Sequence, residues 1–331
     1  MVLFVMKLLL GAIKFQRYGS FLRKTECVNE IIEGREYCDC DIDISNCIFM
    51  RSFGYNGDGG VIYVVGENYT MSISDSMFFN VSSLTANGGA IYFDSATSKL
   101  YRICCSSCSA FSAGHFGFIQ ASKTNELELL SILLCAPNNI GFSSVRMITG
   151  DQKILSTNLS LNYAERVSGI GIISPSSYVC SYCTFCDNHV TQYICIYYYP
   201  NSGSMYYSNI IQNNSPSYGV IRINGGAPKF LYCIFDMNKD ALFCVQTGSL
   251  TIAHCFIFHE GKLTTSNAVS MGQNNSLVKF QTYELRFFMS HYCNADFPIN
   301  TNQKTQIIHQ NSYQKKGILL LTWFCLISYN F

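Results

Sequence analysis

The chain has 331 residues, of which 48% are hydrophobic and only 13% charged, with a formal net charge of +1. This content supplies a large core and excludes a disordered chain, and the near balance of charge leaves no electrostatic footprint for nucleic acid. Polarity is carried instead by Asn, Ser, Thr and Tyr, which suit stacked strands where neighbouring charges would repel.

At the start, Met1 to Phe15 is apolar except for Lys7 and Lys14. The uninterrupted run Leu8 to Ile13 is short for a secretory leader, so leader, anchor and apolar cap are all open readings. Residues 16–40 read as an irregular N-terminal cap, making 1–40 the first segment. Asp39, Asp41 and Asp43 alternate on the expected first strand, about 7 Å apart on one face. They read as a solvated edge, with cation binding as the alternative.

From 41 to about 290 the sequence repeats. The template is Cys183-x-Phe185-x-x-Asn188, preceded by Tyr182, and it recurs as Ser208-x-Ile210-x-x-Asn213 after Tyr207 and Cys233-x-Phe235-x-x-Asn238 after Tyr232. Its first position falls at Cys47, Ser76, Cys105, Leu133, Thr157, Cys183, Ser208, Cys233 and Cys255, in steps of 22 to 29 residues. Tyr283-x-Leu285 is a candidate tenth frame. A second element follows about a dozen residues on, as Gly59-Gly60-Val61-Ile62-Tyr63 and Gly88-Gly89-Ala90-Ile91-Tyr92.

A repeat of this length holds about three strands of four or five residues with three turns. One coil cannot bury its apolar side, but coils stacked about 4.8 Å apart share one core and pair strand on strand. The fold class predicted is therefore all-β, a right-handed parallel β-helix of about nine or ten coils. The third frame position (Phe49, Phe78, Ser107, Cys135, Leu159, Phe185, Ile210, Phe235, Ile257) should point inward. Asn138, Asn162, Asn188, Asn213 and Asn238 should occupy left-handed turn positions and bond along the stack. Gly59, Gly60, Gly88 and Gly89 should permit sharp bends.

No catalytic constellation emerges. Asp187 and Asp236 lie in similar turns at different frame positions, with Gln212 between them, and do not form the carboxylate pair that glycoside hydrolysis needs. His115 reads as a surface histidine of a strand, and Arg222 lacks supporting aspartates. Cys105-x-x-Cys108 and Cys180-x-x-Cys183-x-x-Cys186 have metal-knuckle spacing, but residues three apart on a strand point to opposite faces, so no metal or cofactor is expected. The 17 cysteines follow the repeat and read mostly as core thiols, although Cys233 and Cys255 are spaced to permit a disulfide. The sequons at Asn68, Asn80, Asn158, Asn213 and Asn274 are no more numerous than chance gives.

The candidate contact surface is the tyrosine-rich stretch Tyr193, Tyr197, Tyr198, Tyr199, Tyr206 and Tyr207, since aromatic rings stack on sugars and anchor protein partners. Residues 291–316 read as a polar cap or linker. Gly317 to Phe331 is an apolar tail, read as a membrane segment, an anchor signal or a buried terminal strand.

Gly88-Gly89-Ala90-Ile91 and Phe185-x-x-Asn188 or Phe235-x-x-Asn238 resemble the GGA(I/L/V) and FxxN signatures of polymorphic outer-membrane-protein repeats over roughly residues 44–260. That resemblance implies a surface-exposed parallel β-helix acting in adhesion, although the C-terminal β-barrel pattern of bacterial autotransporters is missing. The expectation is a non-enzymatic surface or extracellular protein that binds a glycan or a cell-surface protein through its lateral face, with membrane attachment through Gly317–Phe331. The alternative is a divergent or inactive carbohydrate-active enzyme.

Overall fold

The computed structural model describes residues 26–28, 31–32, 36–38, 40–55, 57–136, 140–199, 202–259, 261–263, 268–272 and 275–276, all within the compact unit Met1–Ala295. The expectations for Met1–Phe15, Asp39, Asn138, Asn274, Tyr283, 291–316 and Gly317–Phe331 lie outside these residues. Among the described residues no helix is long and apolar enough to cross a membrane.

The chain is a parallel β-solenoid: every pairing between its strands is parallel, and each strand lies beside its counterpart one coil on. Each coil has three faces. The first face carries strands such as Ile42–Ser45, Thr70–Ser74, Ser177–Ser181 and Lys229–Leu231. The second is, among the described residues, a ten-stranded sheet running from Ile31–Ile32 to Phe256–Phe258. The third includes Ile62–Val65, Val145–Ile148, Ile194–Tyr199 and Ile221–Asn224. The long strands Ile91–Tyr101 and Gly117–Glu128 run round the corner from third face to first. Between Ile42 and Thr247 eight consecutive coils contribute to all three faces. Among the described residues the ladder extends back to Glu26–Val28, paired with residues 43–45, so the segment expected as an irregular cap already holds strands of the solenoid.

The inward column of the second face is Phe49, Phe78, Cys105, Ile132, Leu159, Phe185, Ile210, Phe235 and Ile257. All are buried, and Phe49 stacks on Phe78 with ring centroids 4.7 Å apart. Two frames are therefore corrected: the third position is Cys105 rather than Ser107, and Ile132 rather than Cys135. The stretches Cys104-Cys105-Ser106-Ser107-Cys108 and Ile132-Leu133-Leu134-Cys135 lack the polar–apolar contrast that reveals register.

Two corners are turned by single residues in the left-handed region. One column is Asn46, Asp75, Arg102, Leu129, Ser156, Tyr182, Tyr207, Tyr232 and His254; the other runs from Arg51 through Asn80, Ser107, Leu134, Leu161, Asp187 and Gln212 to Met237. Their N–H groups still donate to the next coil, as Tyr182 N does to Tyr206 O at 3.2 Å and Asp187 N to Ile211 O at 3.1 Å. Unbroken pairing offsets the steric cost of left-handed non-glycine residues, about 1 kcal/mol each.

The second corner corrects the expected place of the asparagines. Asn162, Asn188, Asn213 and Asn238 follow the left-handed residue, and each is buried. The Nδ2 of each of Asn162, Asn188 and Asn213 donates forward to the next Oδ1, at 3.1, 3.0 and 3.0 Å in turn. Each Nδ2 also donates back to a carbonyl of the preceding coil, as Asn213 does to Phe185 O at 2.9 Å. Each Oδ1 also accepts a backbone N–H, as Asn213 accepts that of Asn188 at 3.1 Å. A buried amide with every donor and acceptor used is stabilising where a half-satisfied one would be costly. The same burial removes the sequons at Asn158 and Asn213 as glycan acceptors, whereas Asn68 and Asn80 are exposed.

The third corner uses glycine. Gly59, Gly88 and Gly114 have φ of 72, 66 and 71°. A Cβ on Gly89 would run into the carbonyl oxygens of His115 and Ser109. In the next coil His115 takes the equivalent position and is fully buried, its Nδ1 accepting the Ala110 N–H at 3.1 Å. It is thus not the surface histidine expected, because the corner turns it inward. Burial pushes its pKa down to about 4, from an ordinary 6.5. The unfolded chain therefore binds more protons between those values, and stability falls as pH drops from about 6.5 to 4. The effect is about 3 kcal/mol across that window. Urea unfolding of wild type and His115→Gln at pH 7 and pH 4 measures it, with a shallower pH dependence expected in the variant.

Cys105, Cys108, Cys180, Cys183 and Cys186 are all buried. The argument that residues three apart on a strand diverge fails for Cys105/Cys108 and Cys180/Cys183, because left-handed Ser107 and Tyr182 turn both members of each pair inward. Cys105 Sγ lies 3.7 Å from Cys135 Sγ. Burial raises the pKa of the Cys105 and Cys183 thiols well above the usual value and that of Cys195 to about 12, so these are packing groups rather than nucleophiles. Cys233 and Cys255 are free thiols, whereas Cys40, Cys47 and Cys104 are disulfide-bonded.

Candidate recognition surface

Alternation on the third face sends Ile62, Ile91, Val145, Ile170, Ile196 and Ile221 inward and their successors outward. The outward column reads Tyr63, Tyr92, Phe118, Arg146, Gly171, Tyr197, Arg222. Seven rungs at strand spacing make a strip about 29 Å long. Its first three rings stack nearly parallel: Tyr63 on Tyr92 at 5.4 Å and 14°, Tyr92 on Phe118 at 5.1 Å and 11°. The Arg146 guanidinium continues the column 5.7 Å from the Phe118 ring.

Polar groups flank this platform. Burial, with Asp58 and Asp94 nearby, pushes the Tyr92 phenol up to about 12. Burial also raises Asp94, against the opposing hydrogen bond from Gln120. Asp58 Oδ1 accepts the Asn87 backbone N–H at 2.7 Å and its Nδ2 at 3.0 Å, which commits that oxygen to holding the turn.

The six tyrosines read from sequence do not form one surface. Tyr198 is fully buried and packs edge-on against Tyr178 at 4.8 Å; even parity with Ile196 sends it into the core. Tyr197 and Tyr199 point outward, their rings parallel within 3°, and Asn224 Nδ2 donates to Tyr197 Oη at 3.2 Å. Tyr193 lies at the edge of this face, 4.5 Å from Tyr218. Tyr206 is on the first face and Tyr207 on the corner beyond it. There Tyr182, Tyr207, Tyr232 and His254 stack at 5.2, 5.1 and 4.9 Å, with interplanar angles of 10 to 11°. Sequence reasoning missed the roles of Tyr63, Tyr92 and Phe118; the signal was that Tyr63 follows Gly59-Gly60 and Tyr92 follows Gly88-Gly89 in the same register.

Other candidates are separated or already engaged. Asp187 and Asp236 fall in different columns. Asp41 Oδ1 caps the Thr70 N–H at 2.7 Å. Among the described residues no group of three His, Cys, Asp or Glu is placed to hold a metal ion.

At the edge of the third face an open groove is lined by Arg166, Gln192, Tyr193, Ser217 and Tyr218. The Arg222 guanidinium lies 4.6 Å from the Tyr193 ring centroid and 4.9 Å from that of Tyr218. Compared with known proteins, the chain matches no family model, no curated protein and no solved structure.

Proposed function

We propose that the chain is a non-enzymatic recognition protein, adhesion-like and displayed at a cell surface or outside the cell, that binds saccharide chains along its third face. The observation that carries this reading is the Tyr63–Tyr92–Phe118 platform, three stacked rings presented outward along one column. Nothing in the core demands aromatic residues at outward positions, while sugar rings offer apolar faces to such a surface and hydroxyls to flanking groups such as Gln120 and Asp94. The resemblance to polymorphic outer-membrane-protein repeats supports the same reading.

In a screen of immobilised oligosaccharides, Tyr92→Ala is expected to weaken binding by about tenfold, the effect of removing one well-packed aromatic anchor. Its stability should fall by only about 1–2 kcal/mol, the loss of the contacts with Tyr63 and Phe118, too little to unfold the chain in the binding assay. Unchanged binding would sink the reading. Surface display is tested by an epitope-tagged chain on intact cells, where protease shaving should remove the signal; a protected signal contradicts it.

A carbohydrate-active enzyme is the second reading, favoured by one observation: Asp58 and Asp94 both act on Tyr92, and burial raises the Asp94 carboxyl from its ordinary value. Chain-length analysis of bound oligosaccharides decides it. Unchanged lengths are expected, and shortening abolished by Asp94→Asn would establish the enzyme instead.

A further inference from the structure

The part of the third face nearer the C-terminus differs in charge from the Tyr63 platform. Arg146, Arg166 and Arg222 gather there, and among the described residues no ion pair joins Arg146 or Arg222 to a carboxylate. The acid close at hand is Glu165, whose Oε1 lies 3.8 Å from Arg166 Nε.

Arg222 is the unusual member. It is only 7% exposed, yet it sits on an outward column, and the rings of Tyr193 and Tyr218 lie against it. Its Nη2 donates to Gln246 Oε1, while Nε and Nη1 have no acceptor. Three of the five N–H donors of a guanidinium are therefore withheld from water without a partner. Ring contacts compensate the charge in part. Leaving donors unmet is costly, and a solvent-facing arginine could simply extend. Burial also lowers the pKa of both Arg222 and Arg146, the direction expected of cations lacking a counter-charge.

We propose that the groove lined by Arg166, Gln192, Tyr193, Ser217 and Tyr218 is an anion-recognition site in which Arg222 and Arg166 hold the carboxylate of an acidic sugar unit. This rests on the proposed saccharide-binding reading and names its ligand class. Guanidinium groups match a carboxylate in plane and number of donors. Tyr218, 44% exposed, supplies a ring for the sugar, and the Gln192 amide meets hydroxyls. Movement of the Tyr218 ring off Arg222 would open the unmet donors to the ligand.

The test is binding of the full chain to an oligogalacturonate and to the same oligosaccharide with its carboxyls reduced. Wild type is expected to prefer the acidic form by at least about tenfold, the worth of one charge-assisted pair. Arg222→Gln should abolish the preference while changing affinity for the reduced form less than about twofold. If Arg222→Gln lowers the thermal midpoint, the exposed variant Arg166→Gln decides, and it should reduce the preference. Equal binding of the two probes to wild type, or a preference that survives the substitutions, overturns the anion site and leaves saccharide binding standing. Binding of neither probe counts against both.

Discussion

Asn213→Ala is expected to destabilise the fold by about 4 kcal/mol, read as a lowered midpoint in urea unfolding. The substitution removes a side chain that donates to Asn238 Oδ1 and Phe185 O and accepts from the backbone and side-chain amides of Asn188. Four buried groups lose a partner at once, and an unsatisfied buried polar group costs about 1–3 kcal/mol, with relaxation reducing the sum. The neighbouring Asn214 is a control: it is partly exposed and its Nδ2 meets His189 Nδ1 at 3.1 Å. Asn214→Ala should cost under about 1 kcal/mol. Equal effects at the two positions would mean that the amide column does not hold the coils in register.

Phe185→Ala should cost about 4 kcal/mol by the same measurement, since deleting a buried phenyl loses transfer energy and leaves a cavity. Phe185 is fully buried between Leu159 and Ile210 of the adjoining coils. Phe185→Leu, which matches the Leu159 rung, should cost about 1 kcal/mol. The solenoid core is only a few residues wide, so neighbouring side chains are tied to paired backbones and cannot collapse into the space.

The alternation of strands and the spacing of 22 to 29 residues made the solenoid legible, because period two within a strand and a fixed coil length are properties of the sequence itself. Register failed at Cys105 and Leu133, where apolar and small residues occupy both faces. The asparagine column was legible as amides bonded along the stack, but not in its backbone conformation. Which of two adjacent residues turns left-handed is not marked when the turning residues are Leu161, Asp187, Gln212 and Met237. Reading tyrosines as a local cluster misplaced Tyr198, which parity assigns to the core. The Tyr63–Arg222 strip escaped notice because its members are 25 to 29 residues apart and meet only after stacking. The Arg222 cradle was likewise hidden, since Tyr193 comes from the preceding coil.

The most direct test of third-face recognition is oxidative footprinting of the full chain with and without a saturating oligosaccharide from the binding screen. Protection of Tyr63, Tyr92 and Tyr197, with Tyr182 and Tyr232 on the opposite corner column unchanged, is the predicted result. Protection confined to Tyr182 and Tyr232, or none at the third face while the saccharide is bound, would contradict it.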